Sequence, residues 1–588
     1  MPLLLVQFLV AAIVVAGCGP SGPTTARETA GGANTSTERA PGQRKVLNLA
    51  ITTILDAFSI AGSSTTSGGG LDYIEIHSQA LFTADKTTGR SIPRLLAEQP
   101  TLDNAGLRVT DDGRMVATYK LRNDVVWADG APFTARDLLF TYRVVQNRSM
   151  PVIDRGPALL MESAVAPDDH TFLITWKEPY YMADAIGLRP FWPLPAHLLE
   201  TDFASFVEER QDSQGFLARP YWTSEYVHIG PYKLTNFSHG VEAVFDAVDH
   251  YFLGRPKVDR IVVKQFADQN TAFANILSGV VDLSPGGGLA VEGAVELKPK
   301  WDTDGGGKIY FGTGPTGFVS VQFDSSVPNY QPAMQDKRVR QALFHAVDRE
   351  AYAEVSQGGI PDRAAYSLLP PDNPLYSYVR DGWKQRYAYD PARSVALLEQ
   401  AGWRRGGDGL VANATGERLR IEIWDTPGGE DTSAVMADTW KQVGVDSQIA
   451  MVPAARVRNA EFRQQFPAVE ITARGSQDSI LTRLECAEQP SAQNRFSGNN
   501  RGHWCTPEYE RLVTQYRTNL REEGRGQVIK QIQDLLLEEL PIMLLQTRVS
   551  IVFARKGVTA FQDDFAGGSE AGRLYGTYSR NAHEWDVQ

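Results

Sequence analysis

The residues best suited to chemistry are few and scattered. Gly312, Gly314 and Gly317 stand in a G-x-G-x-x-G run after the strand-like Lys308-Ile309-Tyr310-Phe311, where a dinucleotide-binding loop would begin. Such a loop needs a helix behind it, because the pyrophosphate rests on the free N–H groups of a helix N-terminus. Phe318-Val319-Ser320-Val321-Gln322-Phe323 alternates as a strand instead, so the run reads as a glycine hairpin and a nucleotide site is not expected. The sequence has no G-x-x-x-x-G-K-[ST] phosphate loop, no H-E-x-x-H zinc helix and no G-x-S-x-G nucleophile elbow. Its His residues, from His77 to His583, lack metal-ligand spacing, and His345 reads as a satisfied or solvated residue on a helix. Asp111-Asp112 and Asp168-Asp169 fall in turn sequences, where local hydrogen bonding accounts for them. Neither a catalytic group, a metal nor a cofactor is expected, and the chain does not read as an enzyme.

The thiols carry more information. Cys18, Cys486 and Cys505 are the only cysteines. The first ends an apolar run from Leu3 to Ala16 that is shorter than the ~20 residues a membrane-spanning helix needs and so reads as a signal-peptide core. Val15-Ala16-Gly17-Cys18 puts small residues around a cleavage site with a thiol behind it, the arrangement of a bacterial lipoprotein signal, with Cys18 as the lipidated residue. Gly19 to Arg44 has no Leu, Ile, Val or aromatic residue and reads as a flexible tether with a reach of about 25 to 30 Å. An exported chain then keeps Cys486 and Cys505 where disulfides persist, and they read as a pair, buried free thiols being the alternative. Zinc is poorly supported, since His503 alone stands nearby.

The elements around these residues alternate. Val46–Ile51 predicts a strand, and the turn Asp111-Asp112-Gly113 precedes an alternating strand with Met115, Ala117, Tyr119 and Leu121. Thr134-Ala135-Arg136-Asp137 is a capping box that opens a helix to about 146. The apolar spacing from Asp336 to Val355 predicts one amphipathic helix stopped by Gly358-Gly359. Asp390-Pro391 opens another, closed by Gly402. A stripe of Val528, Ile529, Ile532, Leu535 and Leu536 ends at Pro541, before a buried strand at Ile542 to Leu545. The fold class is mixed α/β in more than one lobe.

Composition agrees. A chain of 588 residues predicts about four domain-sized units. Its formal net charge of −12 disfavours a nucleic-acid partner, and 42% hydrophobic with 10% aromatic residues is ample for packed cores.

Tyr119-Lys-Leu-Arg-Asn-Asp-Val-Val-Trp-Ala-Asp-Gly-Ala-Pro-Phe-Thr-Ala-Arg-Asp-Leu138 resembles the signature segment of the family 5 solute-binding proteins, the peptide and nickel type receptors of ABC importers. Ile229-Gly-Pro-Tyr-Lys-Leu234, Asp336 to Arg349 and Tyr389 to Trp403 resemble further segments of that family, in order and spacing, across about residues 45 to 560. The resemblance implies a two-lobed, type II periplasmic-binding-protein-like α/β fold with the extra subdomain of peptide receptors. It divides the chain into a signal peptide (1–17), an anchor and tether (18–44), a split lobe (45–85, 190–285, 541–588), an inserted subdomain (86–189) and a second lobe (286–540). It further implies two crossover strands as a hinge, a ligand cleft between the lobes, and docking of the closed, monomeric receptor on membrane permease subunits. An exported lipoprotein of the same fold with a hydrolytic or assembly role is the alternative.

Leu484-Glu-Cys486-Ala487 and His503-Trp504-Cys505 resemble the disulfide loop of the dipeptide receptors, which implies a peptide or peptide-like solute. In place of those receptors' W-x-G-D the chain reads Ala473-Arg474-Gly475-Ser476, leaving Asp478 to face an ammonium. Their carboxylate-binding Arg has no counterpart after Ile423. Arg474 or Arg483 is then the expected cation for a carboxylate, with Trp424 as a pocket aromatic; a solvated loop is the plainer account of both arginines.

Overall fold

The computed structural model describes residues 44–588 apart from 60–72, 86–87, 89, 153–154, 189–190, 285–288, 372, 458, 475–480, 482, 495, 497 and 562–576. Cys18 and Asp478 lie outside the described residues, as does the side chain of Arg474. Val46–Ile51 is the first strand, and it can be almost wholly apolar because it runs parallel to neighbours on both edges, Arg260–Gln265 and Leu283–Ser284. It belongs to a ten-stranded sheet. From one edge the order is Asp446–Met451, Arg420–Asp425, Val469–Arg474, Gly307–Val321, Ile542–Arg555, Leu283–Ser284, Val46–Ile51, Arg260–Gln265, Glu242–Ala247 and Tyr232–Ser238.

Two long antiparallel strands hold this sheet together. Gly307–Thr313 pairs with Arg555–Val549, beside the strands that include Val46–Ile51. Beyond the crossing, Thr316–Ser320 pairs with Thr547–Ile542 and takes Arg474–Glu470 on its other edge. The ladder slips between Thr313 and Thr316 and again between Gly317 and Phe318. The glycine run is therefore not a hairpin: the strand continues through it as a bulge, because the distant strand Ile542–Arg555 supplies a ladder along its whole length. The glycines answer close approach rather than reversal. A Cβ on Gly314 would stand 2.9 Å from the Arg548 carbonyl oxygen, and one on Gly317 would stand 2.5 Å from Gln546 Oε1.

A separate four-stranded antiparallel sheet is built from Leu107–Val109, Met115–Lys120, Thr171–Trp176 and Met161–Asp168. Its turn sits at the predicted Asp111-Asp112-Gly113, with Gly113 at φ 84°. The signature segment is structural. Asp137 Oδ2 accepts from the Thr134 N–H at 2.9 Å and the Trp127 Nε1–H at 3.3 Å, and Oδ1 accepts from the Ala196 N–H at 2.9 Å. One buried carboxylate thus caps the helix Ala135–Gln146 and ties it to the start of the helix Ala196–Phe203. Gly230 serves the same packing, since a Cβ there would lie 2.3 Å from the His77 carbonyl carbon.

The single helix predicted from Asp336 to Val355 is two, Lys337–His345 and Arg349–Ser356. Asp348 breaks it by capping the second, accepting from the Ala351 N–H at 3.0 Å. Arg349 turns inward, and its guanidinium donates to the carbonyls of Tyr387 at 2.8 Å and Leu544 at 3.1 Å. His345 is buried, its Nδ1 3.0 Å from the Ala388 carbonyl. Pro391–Gln400 starts at the Asp390 cap and ends before Gly402 at φ 91°, as predicted.

Candidate functional site

The strand directions place the site. Val46–Ile51 and Arg260–Gln265 run the same way as Gly307–Val321, whereas Arg420–Asp425 and Val469–Arg474 run against it. By register, Leu49 is level with Leu283, which is level with Ala554 and Lys308, so the carboxyl end of the first strand points toward the bulge. From the other side Arg474 pairs with Thr316, so that strand also ends at the bulge. Carboxyl ends of strands from both halves of the sheet converge on the crossing, and such ends are where open α/β sheets bind ligands.

The floor at this level is bare on one strand and polar on the other. Gly312 is opposite Ser550 and Gly317 is opposite Gln546, with Arg548 facing the two-residue bulge. Ser550 Oγ accepts from the Tyr578 hydroxyl at 2.8 Å. Gln546 is 3% exposed and its Oε1 has no hydrogen-bond partner among the described residues. Arg363 donates through Nη1 to the Gly312 carbonyl at 3.2 Å, and the Thr547 N–H bonds to the Arg363 carbonyl at 2.7 Å. Asp425, at the end of its strand, accepts from the Thr426 N–H and the Ser433 hydroxyl, both at 2.7 Å. Its carboxyl is pushed up by burial, and Gly429 is required beside it, since a Cβ there would lie 2.3 Å from Oδ2. Tyr352, buried next to this group, has its hydroxyl raised to about 12 by desolvation.

The expected recognition residues separate. Arg474 ends its strand at the crossing level. Trp424 is half-buried on the face of the sheet, its ring 5.0 Å from Phe462 and its Nε1–H donating to Glu422 at 2.5 Å. Arg483 is 3% exposed, so a solvated loop does not describe it: its guanidinium lies 5.2 Å from the Phe318 ring centre and Nε donates to the Asn499 carbonyl at 3.1 Å. Cys486 and Cys505 are joined by a disulfide with Cα atoms 5.1 Å apart. Asn500 braces that loop from inside, Nδ2 donating to the carbonyls of Trp504 at 2.6 Å and Glu485 at 3.1 Å. The small cavity beside Arg483, Asn500 and Trp504 has room for about one water, not for a solute.

Arg548, Gln546 and Asp425 were not singled out by sequence. The available signal was the polar alternation Gln546, Arg548, Ser550 inside an apolar run, which marks one strand face. Among the described residues no group of acidic, His or Cys side chains could hold a metal, and no helix is long and apolar enough to cross a membrane.

A model of bacterial extracellular solute-binding proteins, family 5, matches residues 92–477. Protein XP55 of Streptomyces lividans is 28% identical over 450 residues, covering 75% of this chain and 74% of its own length. A putative ABC transporter peptide-binding protein of Brucella ovis is 27% identical over 390 residues, covering 65% of this chain and 64% of its own length. An oligopeptide-binding protein from Thermus thermophilus, solved with a pentapeptide, superposes with a TM-score of 0.70 at 22% identity, over 92% of this chain and 96% of its own.

Proposed function

Given that the chain belongs to the family 5 bacterial extracellular solute-binding proteins, we propose that it captures a peptide or peptide-like solute at the strand crossing and hands it to ABC importer permease subunits. The convergence of strand ends from both halves on Gly312–Gly317 and Gln546–Ser550 carries this reading. A solute there would touch both lobes, and only a ligand that binds the closed form better than the open one can drive closure. The peptide assignment is supported by the names of the relatives above. The lobes are those implied by the resemblance, 45–85 with 190–285 and 541–588 against 286–540, with 86–189 inserted. The two long strands, one in each lobe by these bounds, pair at the hinge. Asp478 and a cation at the crossing, Arg474 among the candidates, are the proposed contacts for the ends of the solute, with Trp424 and Arg483 supporting the wall and the disulfide loop.

Mass spectrometry of small molecules released by denaturing protein purified from its native host tests this: a peptide or peptide-like solute is expected, and a released solute of any other class overturns that assignment. Lipid attachment at Cys18 completes the proposal, because only a thiol at the cleavage site can be acylated. Cys18→Ser should move the protein from the membrane to the soluble fraction, and a variant that stays membrane-bound has another anchor.

A further inference from the structure

The bulge that interrupts the glycine run has one residue opposite it, Arg548, whose carbonyl lies where a Gly314 side chain would be. Setting two residues against one bends the strand and re-aims the facing side chain. Pro315 adds to this, having no N–H to give to the ladder. Arg548 is exposed, between the buried Gln546 and the buried Ser550, and among the described residues its guanidinium makes no hydrogen bond or ion pair. Asp425 feels the Arg548 charge without pairing with it, its two oxygens accepting from Thr426 and Ser433. A second guanidinium, that of Arg363, flanks the same bulge and is also without a carboxylate partner among the described residues. The floor of the crossing therefore holds two guanidinia that no described carboxylate hydrogen-bonds, Asp425 and Asp362 acting on them only through space.

We propose that Arg548 is a specificity-determining residue that holds a carboxylate of the bound solute on the floor of the crossing. This rests on the binding cleft proposed above. A planar guanidinium takes a carboxylate through two parallel hydrogen bonds, which fixes orientation as well as charge. Because Arg548 sits on a strand of one lobe that pairs along its length with Gly307–Val321 of the other, it meets the solute before closure, and closure then removes the contact from water and strengthens it.

Wild type and Arg548→Gln, both purified from the native host, are denatured and the released solutes quantified by mass spectrometry. The wild type should release a carboxylate-bearing solute and the variant about tenfold less or lower still. Equal retention, a wild-type solute without a carboxylate, or no solute from the wild type overturns the proposal. Since Arg548 is exposed, the variant's thermal midpoint should match the wild type, and a lowered midpoint would show the guanidinium to be structural instead. Calorimetry with trialanine and trialanine amide separates the two readings. Selective loss of trialanine affinity in the variant supports the carboxylate contact. If the wild type binds neither peptide while the native solute remains Arg548-dependent, the peptide assignment fails and Arg548 stands.

Discussion

Arg463 and Glu470 form a charged pair inside the protein, Nε donating to Oε1 at 2.8 Å with Glu470 fully buried. Arg501 meets the second oxygen at 2.6 Å, so one carboxylate sits between two guanidinia. The cluster lies on the strand Val469–Arg474 that ends at the crossing and on the segment that closes the disulfide loop, and it locks the two together.

Removing that carboxylate's charge leaves the buried Arg463 and the partly buried Arg501 facing a neutral amide. Glu470→Gln should cost about 3 to 5 kcal/mol, read as a lowered urea midpoint at unchanged slope. A loss below about 1 kcal/mol would place the cluster with ordinary solvated ion pairs.

Cys486 and Cys505 should resist thiol labelling in unreduced, denatured protein, since a disulfide joins them. Their joint replacement by Ser should cost roughly 3 kcal/mol by the chain-entropy estimate. Glu510, which accepts from the Cys486 N–H at 2.7 Å, and Asn500 hold the loop independently, so the double variant should still fold. Two labelled thiols in the unreduced wild type would refute the pairing.

What the sequence made legible is what local patterns decide. Val46–Ile51 and the Asp390 cap were readable because apolar runs and capping residues act within a turn or a strand. The Asp336–Val355 stripe was misread because its periodicity survives the break at Asp348, where a cap and an inward-turned Arg349 stop one helix and start another. The glycine run was misread for a different reason: its partner strand lies more than two hundred positions away. Arg548 showed only as one member of a polar alternation, because its direction depends on a bulge in that distant strand. Burial of Arg483 against Phe318 likewise joins segments that no local pattern connects.

Asp184 should make stability fall as pH rises. Burial, partly offset by the Arg525 charge, lifts its carboxyl from 3.8 to about 6. Between those values the folded state binds more protons than the unfolded state, so folding weakens progressively and levels off above about 6. The loss is on the order of 3 kcal/mol at neutral pH. Asp184→Asn should be more stable than wild type at pH 7 and close to it near pH 4, in urea unfolding at each pH. Equal pH profiles for the two proteins would place the Asp184 carboxyl in contact with water.

Gly314 and Gly317 should behave differently when each is given a methyl group, although both belong to the same run. At Gly314 the new Cβ meets backbone, the Arg548 carbonyl oxygen at 2.9 Å and the Ser550 nitrogen at 3.3 Å, neither of which can move without opening the ladder. Gly314→Ala should therefore cost about 1 to 3 kcal/mol of stability and, by shifting the bulge, turn Arg548 away. At Gly317 the methyl meets only the end of the Gln546 side chain, Oε1 at 2.5 Å and Nε2 at 2.8 Å, which a rotation about flexible bonds can clear. Gly317→Ala should leave the thermal midpoint within about 0.5 °C of wild type, a shift corresponding to under about 1 kcal/mol in a chain of this length, while weakening solute binding through the displaced amide. Thermal unfolding and native-solute retention measured on both variants separate the two effects. Equal destabilisation by both would mean that the run serves only to let the two strands approach, and that its glycines carry no part of the floor.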